Sequence, residues 1–200
     1  MPVELHVDGT PVTVDNDRVT LLSVLRNLCG KLSVKDGCSP QGQCGCCTVL
    51  VDGRARVSCV TPVRRVAGRS VVTLEGLPEA ERSAWADAFT RTGGCQCGFC
   101  TPGIICRLAA LRAAGEESPS LDNALAAHLC RCTGWQTIVE AWHAFGSSRP
   151  VDAGAASRRA TLEGHASQIV GPQVALGLAG FSADTIPADA LYAVPSTGGG

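Results

Sequence analysis

The chain has 200 residues, of which 45% are hydrophobic, and its formal net charge at pH 7 is −1. A chain of this size and composition is expected to fold into one or two small globular domains. Its near-neutral charge gives no reason to expect nucleic acid as a partner. We also expect no signal peptide and no membrane span. No charged start precedes an apolar run, and glycines and a proline interrupt the longest weakly polar stretch, around 170–181.

Twelve cysteines are the unusual feature of the composition. Cysteines form disulfides in an oxidising compartment or act as thiolate ligands in a reducing one. Most of these bunch too closely to pair without strain, at positions 38, 44, 46 and 47, at 95, 97 and 100, and at 130 and 132. Because thiolates at this spacing can share a metal centre and no export signal is expected, the sequence predicts a cytoplasmic metalloprotein.

The N-terminal region shows the short apolar runs of strands. The predicted strands cover 3–7, 11–14, 48–51, 54–59 and a last strand from Val71 to Leu74. Asp8-Gly9 and Asp52-Gly53 are hairpin signals. A short helix over 20–28, ended by Gly30, interrupts the strands.

From residue 78 the apolar period becomes helical. The four predicted helices carry apolar stripes that contain Trp85, Ala88 and Phe89; Ile104, Leu108 and Leu111; Leu121, Ala124, Leu125 and His128 or Leu129; and Trp135, Ile138, Val139, Trp142 and Phe145. Pro102, after Thr101, stands where a helix start favours a first-turn proline. Thr133, before Gly134, stands where a helix start favours a cap. Four short antiparallel helices make a bundle. The tryptophans are expected to pack in its core.

The chain is therefore expected to contain three regions. They are a strand-rich domain over 1–76, a helical domain over 77–146, and a linker with a C-terminal extension over 147–200, which is rich in glycine, serine, alanine and proline. Within the extension, residues 174–194 carry apolar residues at regular intervals, and their end is predicted to form a strand.

The first cysteine set lies in the strand-rich domain. Cys38, Cys44 and Cys47 lie on one loop, and Cys59 arrives from the far strand of the following hairpin. Each iron of a 2Fe-2S cluster needs two thiolates, so the loop must curl around the cluster, and Gly37, Gly42 and Gly45 are expected to supply the positive φ angles for this. Plant-type ferredoxins use C-x4-C-x2-C and a distant fourth cysteine, whereas here five residues separate the first two cysteines. Cys47 keeps the x2 spacing and directly precedes a strand, but Cys46 could replace it as third ligand.

The second cysteine set lies in the helical domain. Cys97 and Cys100 form C-x2-C before one predicted helix, and Cys130 and Cys132 form C-x-C before another. At a helix N-terminus the unpaired N–H groups and the positive end of the dipole stabilise an anionic cluster.

The order of the cysteine motifs closely resembles that of a known family. The chain has GCSPQGQCGCCTV first, then QCGFCTPG (96–103) and LCRCTGW (129–135). They are similar to the iron–sulfur small subunits of the xanthine dehydrogenase, aldehyde oxidase and carbon monoxide dehydrogenase family of molybdenum hydroxylases, over roughly residues 1–146. The resemblance implies an α+β fold, with an N-terminal β-grasp domain of the plant-type ferredoxin kind followed by a four-helix bundle that holds a second 2Fe-2S cluster.

The resemblance also implies a function and partners. Such a subunit relays electrons from molybdopterin in a large subunit, through two 2Fe-2S clusters, to FAD in a medium subunit, and does not itself act on substrate. Heterotrimers or dimers of heterotrimers are expected. Carried over by position, Cys97, Cys100, Cys130 and Cys132 would hold the cluster near the pterin, and Cys38, Cys44, Cys47 and Cys59 the cluster nearer the flavin. Gln96 and Cys132 would contact the pterin.

The extension resembles the opening of the molybdenum subunit in the order of five residues, Phe181, Asp184, Pro187, Leu191 and Tyr192. We therefore expect this segment to dock on the large subunit.

Two other functions compete with this interpretation. Zinc is held by similar thiolate spacings, but the four-ligand loop and the ferredoxin-like order of strands argue against it. A free ferredoxin-like carrier would need only the first domain and usually has a strongly acidic surface, which a charge of −1 does not provide. Cys29 and Cys106 are expected to be small core side chains. Cys46 and Cys95 lie beside ligands and could be alternative ligands, but they are expected to be tolerated neighbours. His128 is expected to be a packed or capping side chain.

Overall fold

The first domain is built on a mixed five-stranded sheet. The computed structural model describes residues 2–115, 119–147, 153–164, 171–187 and 189–191. The strands are β1 (Val3–Val7), β2 (Thr10–Val14), β3 (Thr48–Val51), β4 (Arg54–Val57) and β5 (Ser70–Val72). Their order across the sheet is β2-β1-β5-β3-β4, and β1 and β5 are the parallel pair. The two predicted hairpins are therefore joined through β5.

Both hairpin turns follow the Asp-Gly prediction. Asp8 and Gly9 have φ of +49° and +81°, and Asp52 and Gly53 have φ of +48° and +76°. Positive φ at both central residues is the geometry that matches the twist of antiparallel strands. The second turn sets the register that pairs Thr48 with Val57, and this register positions the cysteines on either side of the hairpin.

A short helical segment covers one face of the sheet. It begins as α1 (Leu21–Ser23) and continues as a π-helical segment (Val24–Leu28). The Thr20 hydroxyl caps it by accepting a 3.2 Å hydrogen bond from the Ser23 N–H. Its three buried leucines and Val24 belong to a core that also includes Leu5, Val49 and Val71 of the sheet. The predicted helix is thus present, but its second half has π geometry.

The second domain consists of helices around an aromatic core. They are α2 (Glu79–Thr92), α3 (Thr101–Ala113), α4 (Pro119–Leu125) and α5 (Gln136–Ala144). Helix α2 packs on α5, and α3 packs on α4 and also on β3 and β4 of the first domain. Trp85 and Phe145 lie 4.2 Å apart between ring centroids, with the Arg112 guanidinium over the Phe145 ring. Both domains thus share one packed junction through α3.

Several predicted boundaries and burial assignments were wrong. Strand β4 ends at Val57, not at residue 59, and a 3-10 turn (Leu74–Gly76) replaces the end of the predicted last strand. Helix α4 ends at Leu125, so Leu129 lies beyond it and is 57% exposed. Trp135 precedes α5 and is 41% exposed, whereas the other two tryptophans are buried as predicted.

The predicted linker and extension contain further helices. These are α6 (Ala153–Leu162), α7 (Pro172–Ala175) and α8 (Ser182–Thr185). The strand predicted at the end of 174–194 falls mainly outside the described residues, as does Tyr192. No helix in the described ranges is long and apolar enough to cross a bilayer.

Candidate iron–sulfur centres

The first cysteine set forms two pairs of neighbouring thiols. Cys38 and Cys44 lie within hydrogen-bonding reach of each other. Cys47 and Cys59 form the second pair, and the Cys59 N–H also donates to the Cys47 Sγ over 3.4 Å. Two thiolates per iron is the requirement of a 2Fe-2S cluster. The pairs could therefore each serve one iron.

Glycines allow the loop to carry these cysteines around one space. Gly42 and Gly45 have φ of +69° and +72°, as the sequence predicted. The same prediction was wrong for Gly37, which is not in the left-handed region. Gly37 has a different role, because a Cβ there would stand 2.9 Å from the Cys44 Sγ and 3.1 Å from the Cys46 Sγ. Any side chain at this position would therefore crowd both thiols.

Backbone N–H groups of the loop favour an anionic sulfur. The Gln41 N–H donates to the Cys38 Sγ over 3.4 Å. Burial alone would raise the pKa of Cys38, but hydrogen bonds from backbone N–H groups of the same loop outweigh it and lower the pKa to about 6. For Cys59 the balance is the opposite. Burial, reinforced by the neighbouring Cys47 thiol, raises the pKa of Cys59 to about 12. Such a site suits metal-bound thiolates, because the positive charge of a bound metal stabilises thiolates that are shielded from water.

Cys46 and Cys47 face different neighbours although both are buried. Cys47 pairs with Cys59, whereas the Cys46 thiol lies beside Cys44 and within electrostatic reach of Cys100 of the second set. Burial raises the pKa of Cys46 strongly. The arrangement favours Cys47 as the ligand and leaves Cys46 as a thiol between the two sets.

The second cysteine set also forms two pairs. Cys100 lies beside Cys130, and Cys97 lies beside Cys132. Cys100 is the residue before α3, in the N-cap position, so the motif of Cys97 and Cys100 stands at the start of this helix as predicted. The same prediction was wrong for Cys130 and Cys132, because α5 begins only at Gln136, with Trp135 and not Thr133 in its N-cap position. Burial raises the pKa of Cys100. Burial would also raise the pKa of Cys130, but hydrogen bonds from the Thr133 hydroxyl and N–H outweigh it and lower the pKa.

One pair of the second set faces outward. Cys97 and Cys132 are exposed, and so is the neighbouring Gln96, whereas Cys100 is buried and Cys130 half-buried. The exposed pair is the part of this set that a partner surface could approach.

The two sets meet at a junction that sequence reasoning did not anticipate. The Cys44 carbonyl accepts a 3.0 Å hydrogen bond from the N–H of Leu129, the residue before Cys130. A Cβ on Gly103 of α3 would stand 2.4 Å from the Gly45 carbonyl oxygen. Close packing of backbone on backbone therefore holds the first loop against the second. The sequence placed His128 or Leu129 on the apolar stripe, and of the two it is His128 that is buried, whereas Leu129 is exposed. The side chain of Leu129 therefore gave no signal of this contact.

His128 is part of the same junction. It is 4% exposed, and its Nε2 lies 3.2 Å from the Thr48 hydroxyl at the start of β3. Burial, with the nearby Arg107, lowers its pKa to about 4, so the ring is neutral at neutral pH. The prediction of a packed side chain is confirmed.

The remaining cysteines differ in position. Cys106 is buried in the helical core, as predicted, and Cys29 is only half-buried near the sheet. Cys95 is buried, and burial raises its pKa to about 11. Across the described ranges no three cysteine, histidine, aspartate or glutamate side chains gather around one point for a single ion. The donors that approach each other do so as thiol pairs, and soft thiolates in pairs fit a cluster of two irons.

Family comparisons agree with this division into two sets. Residues 5–66 match the 2Fe-2S iron-sulfur cluster binding domain, and residues 73–143 match the [2Fe-2S] binding domain. The xanthine dehydrogenase iron-sulfur-binding subunit of Escherichia coli O157:H7 is 43% identical over 145 residues, which cover 70% of this chain and 84% of that protein. The chain belongs to the iron–sulfur subunits of the molybdenum hydroxylases. The nicotine 6-hydroxylase small subunit of Paenarthrobacter nicotinovorans is also 43% identical, over 70% of this chain and 86% of that one.

Solved structures of this family have the same architecture. Quinoline 2-oxidoreductase from Pseudomonas putida 86 superposes with a TM-score of 0.64 at 34% identity, over 80% of this chain and 96% of that chain. Aldehyde oxidoreductase from Desulfovibrio gigas superposes with a TM-score of 0.71 at 27% identity, over 92% of this chain and 22% of that chain. This iron–sulfur subunit is thus an electron-transfer component of an oxidoreductase and carries two 2Fe-2S domains.

Proposed function

We propose that the two cysteine sets are the binding sites of two clusters that transfer electrons one after the other in a single relay. Cys97, Cys100, Cys130 and Cys132 hold the cluster that receives electrons from molybdopterin in a large subunit. Cys38, Cys44, Cys47 and Cys59 hold the cluster that passes them to FAD in a medium subunit. The observation that carries this proposal is the junction, where a single hydrogen bond joins Cys44 to the residue before Cys130.

The protein contributes binding, distance and electrostatics. When bound, a 2Fe-2S cluster supplies one-electron redox chemistry, which separates the two electrons released by substrate oxidation. The loop N–H groups stabilise the sulfur charge, and hydrogen bonds to sulfur are one of the means by which a protein tunes a potential. The contact of Gly103 with Gly45 sets how closely the two sets approach.

The exposed face of the second set is the proposed contact with the pterin. Gln96 and Cys132 lie on it, and Trp135 and Leu129, both well exposed, lie close by in sequence. A contiguous patch of exposed apolar side chains is typical of a surface that a partner covers, and Leu129 and Trp135 are proposed to belong to such a patch. The assembly is proposed to be a cytoplasmic heterotrimer or a dimer of heterotrimers, and the domains a ferredoxin-like β-grasp and a four-helix bundle.

A reductive titration of the purified, cluster-loaded chain tests the relay. We expect uptake of about two electrons per chain, one for each cluster, and the bleaching of the cluster absorbance measures this uptake. In the assembled enzyme, substrate should bleach both clusters, and a Gln96→Ala variant should slow this without changing the number of electrons that dithionite delivers. Uptake of one electron, or bleaching by substrate in the absence of the molybdenum subunit, would contradict the proposal.

A further inference from the structure

Part of the C-terminal extension lies across both iron–sulfur domains. We call residues 171–187 the strap. Its first helix, α7, packs on α2, and Val174 and Ala175 are 4% and 0% exposed. The sequence predicted a segment that docks on the large subunit, and that remains a prediction. In this structure the strap is docked on its own chain.

The strap touches the second domain at the loop that carries the second cysteine set. A Cβ on Gly98 would stand 2.1 Å from the Val174 carbonyl oxygen, so the strap backbone lies directly against the residue between Cys97 and Phe99. Further along, Phe181 packs edge-on against Phe99 with ring centroids 5.2 Å apart. The strap therefore contacts this loop at two points, Gly98 and Phe99.

The strap contacts the first domain through Lys35. This side chain is 1% exposed, and its ammonium contacts the Gly177 carbonyl at 3.4 Å, pairs with the Asp184 carboxylate and lies 4.8 Å from the centre of the Phe181 ring. The Lys35 backbone N–H donates to the Cys46 carbonyl over 3.3 Å. The residue that receives the strap is thus bonded to the first cysteine loop.

Asp184 is the residue that gathers these contacts. Its carboxylate also accepts from the Arg26 guanidinium over 2.7 Å and is 9% exposed. Desolvation would raise the pKa of Asp184, but Arg26 and Lys35 outweigh it and lower the pKa. A buried ammonium is tolerated only when it is paired and hydrogen-bonded. Loss of the Asp184 charge would therefore favour release of the strap, which returns Lys35 to water.

We propose that residues 171–187 are a clamp that fixes the two iron–sulfur domains in one relative orientation, with Asp184 as its latch on Lys35 and Arg26. The strap binds a basic and aromatic surface that both domains form together, so it stays docked only while the domains keep this arrangement. Docking of the strap stands on the contacts alone. Its consequence for the clusters rests on the proposed relay.

Hydrogen–deuterium exchange on the full, cluster-loaded chain tests docking. In Asp184→Asn we expect amides of the strap and of residues 98–104 to exchange at least about tenfold faster, because the buried ion pair is broken. Asp189→Asn, which removes an exposed acid of the same extension, should match the wild type. Adding Lys35→Met to Asp184→Asn should restore much of the protection, since no unpaired charge is then buried. Wild-type protection in Asp184→Asn, or equal acceleration in Asp189→Asn, would overturn docking.

The magnetic coupling between the two reduced clusters tests the clamp. Its splitting in the EPR spectrum depends on their distance and orientation, and we expect it to change in Asp184→Asn and not in Asp189→Asn. If the strap is released in Asp184→Asn and the splitting is unchanged, the clamp is overturned, and only the docking of the strap on its own chain still stands. A wild-type chain that binds no second cluster would instead refute the relay, while the exchange result would still decide whether the strap docks.

Discussion

Cys46 and Cys47 are adjacent in sequence, yet their thiols contact different partners. Antiparallel pairing of Thr48 with Val57 sets the residues before Thr48 beside those after Val57. In this register Ser58 lies opposite Cys47 and donates its N–H to the Cys47 carbonyl over 3.2 Å, and the next N–H, that of Cys59, donates to the Cys47 Sγ over 3.4 Å. The Cys46 thiol lies beside Cys44 instead. Spacing alone left the third ligand open because both residues precede the strand. The contacts of the two thiols, which spacing does not reveal, are the reason that we propose Cys47 as the ligand.

Alanine substitutions at these two positions should have different effects on iron content. The wild-type chain should hold about four irons, Cys47→Ala about two, and Cys46→Ala about four, because only the first substitution removes one of four thiolates around a cluster. Iron and acid-labile sulfide analysis of each purified variant measures this. Iron loss only in Cys46→Ala would assign the ligand to Cys46, and equal loss in both variants would contradict the distinction between the two cysteines.

The start of helix α3 supports both the second cysteine set and the contact between domains. Gly103 lies in its first turn and packs on the backbone of Gly45 and Cys46. The sequence predicted this helix from its apolar stripe and Pro102, and it predicted the hairpins from their Asp-Gly turns, because these signals act locally. It did not predict the π-helical segment, the inter-domain hydrogen bond or the strap, because these depend on tertiary packing between distant residues.

Gly103→Ala should destabilise the junction between the domains. The added methyl would stand 2.4 Å from the Gly45 carbonyl oxygen and 2.9 Å from the Cys46 carbonyl carbon. Overpacking of this kind costs about 1–3 kcal/mol, and we expect a fall in Tm measured by circular dichroism. Gly171→Ala is the matched control, since its methyl meets only the side chain of Gln173. An unchanged Tm in Gly103→Ala would show that the two backbones are not in contact.

At the scale of the whole molecule, the electron path crosses from one domain to the other. The exposed pair Cys97 and Cys132 lies at one end, and the first cysteine loop lies at the other, beyond the hydrogen bond from Leu129 to Cys44. Family membership could be inferred from the motifs, since eight cysteines in two sets constrain the chemistry strongly. How the sets face each other could not, because no local pattern encodes the packing of α3 against β3.

EPR of the dithionite-reduced chain tests the central claim that eight thiolates hold two separate 2Fe-2S clusters. The account predicts two distinct signals that together integrate to about two spins per chain. Cys59→Ala should abolish one signal and Cys130→Ala the other, each leaving its counterpart in place. A single signal in the wild-type chain, or the loss of the same signal in both variants, would contradict it.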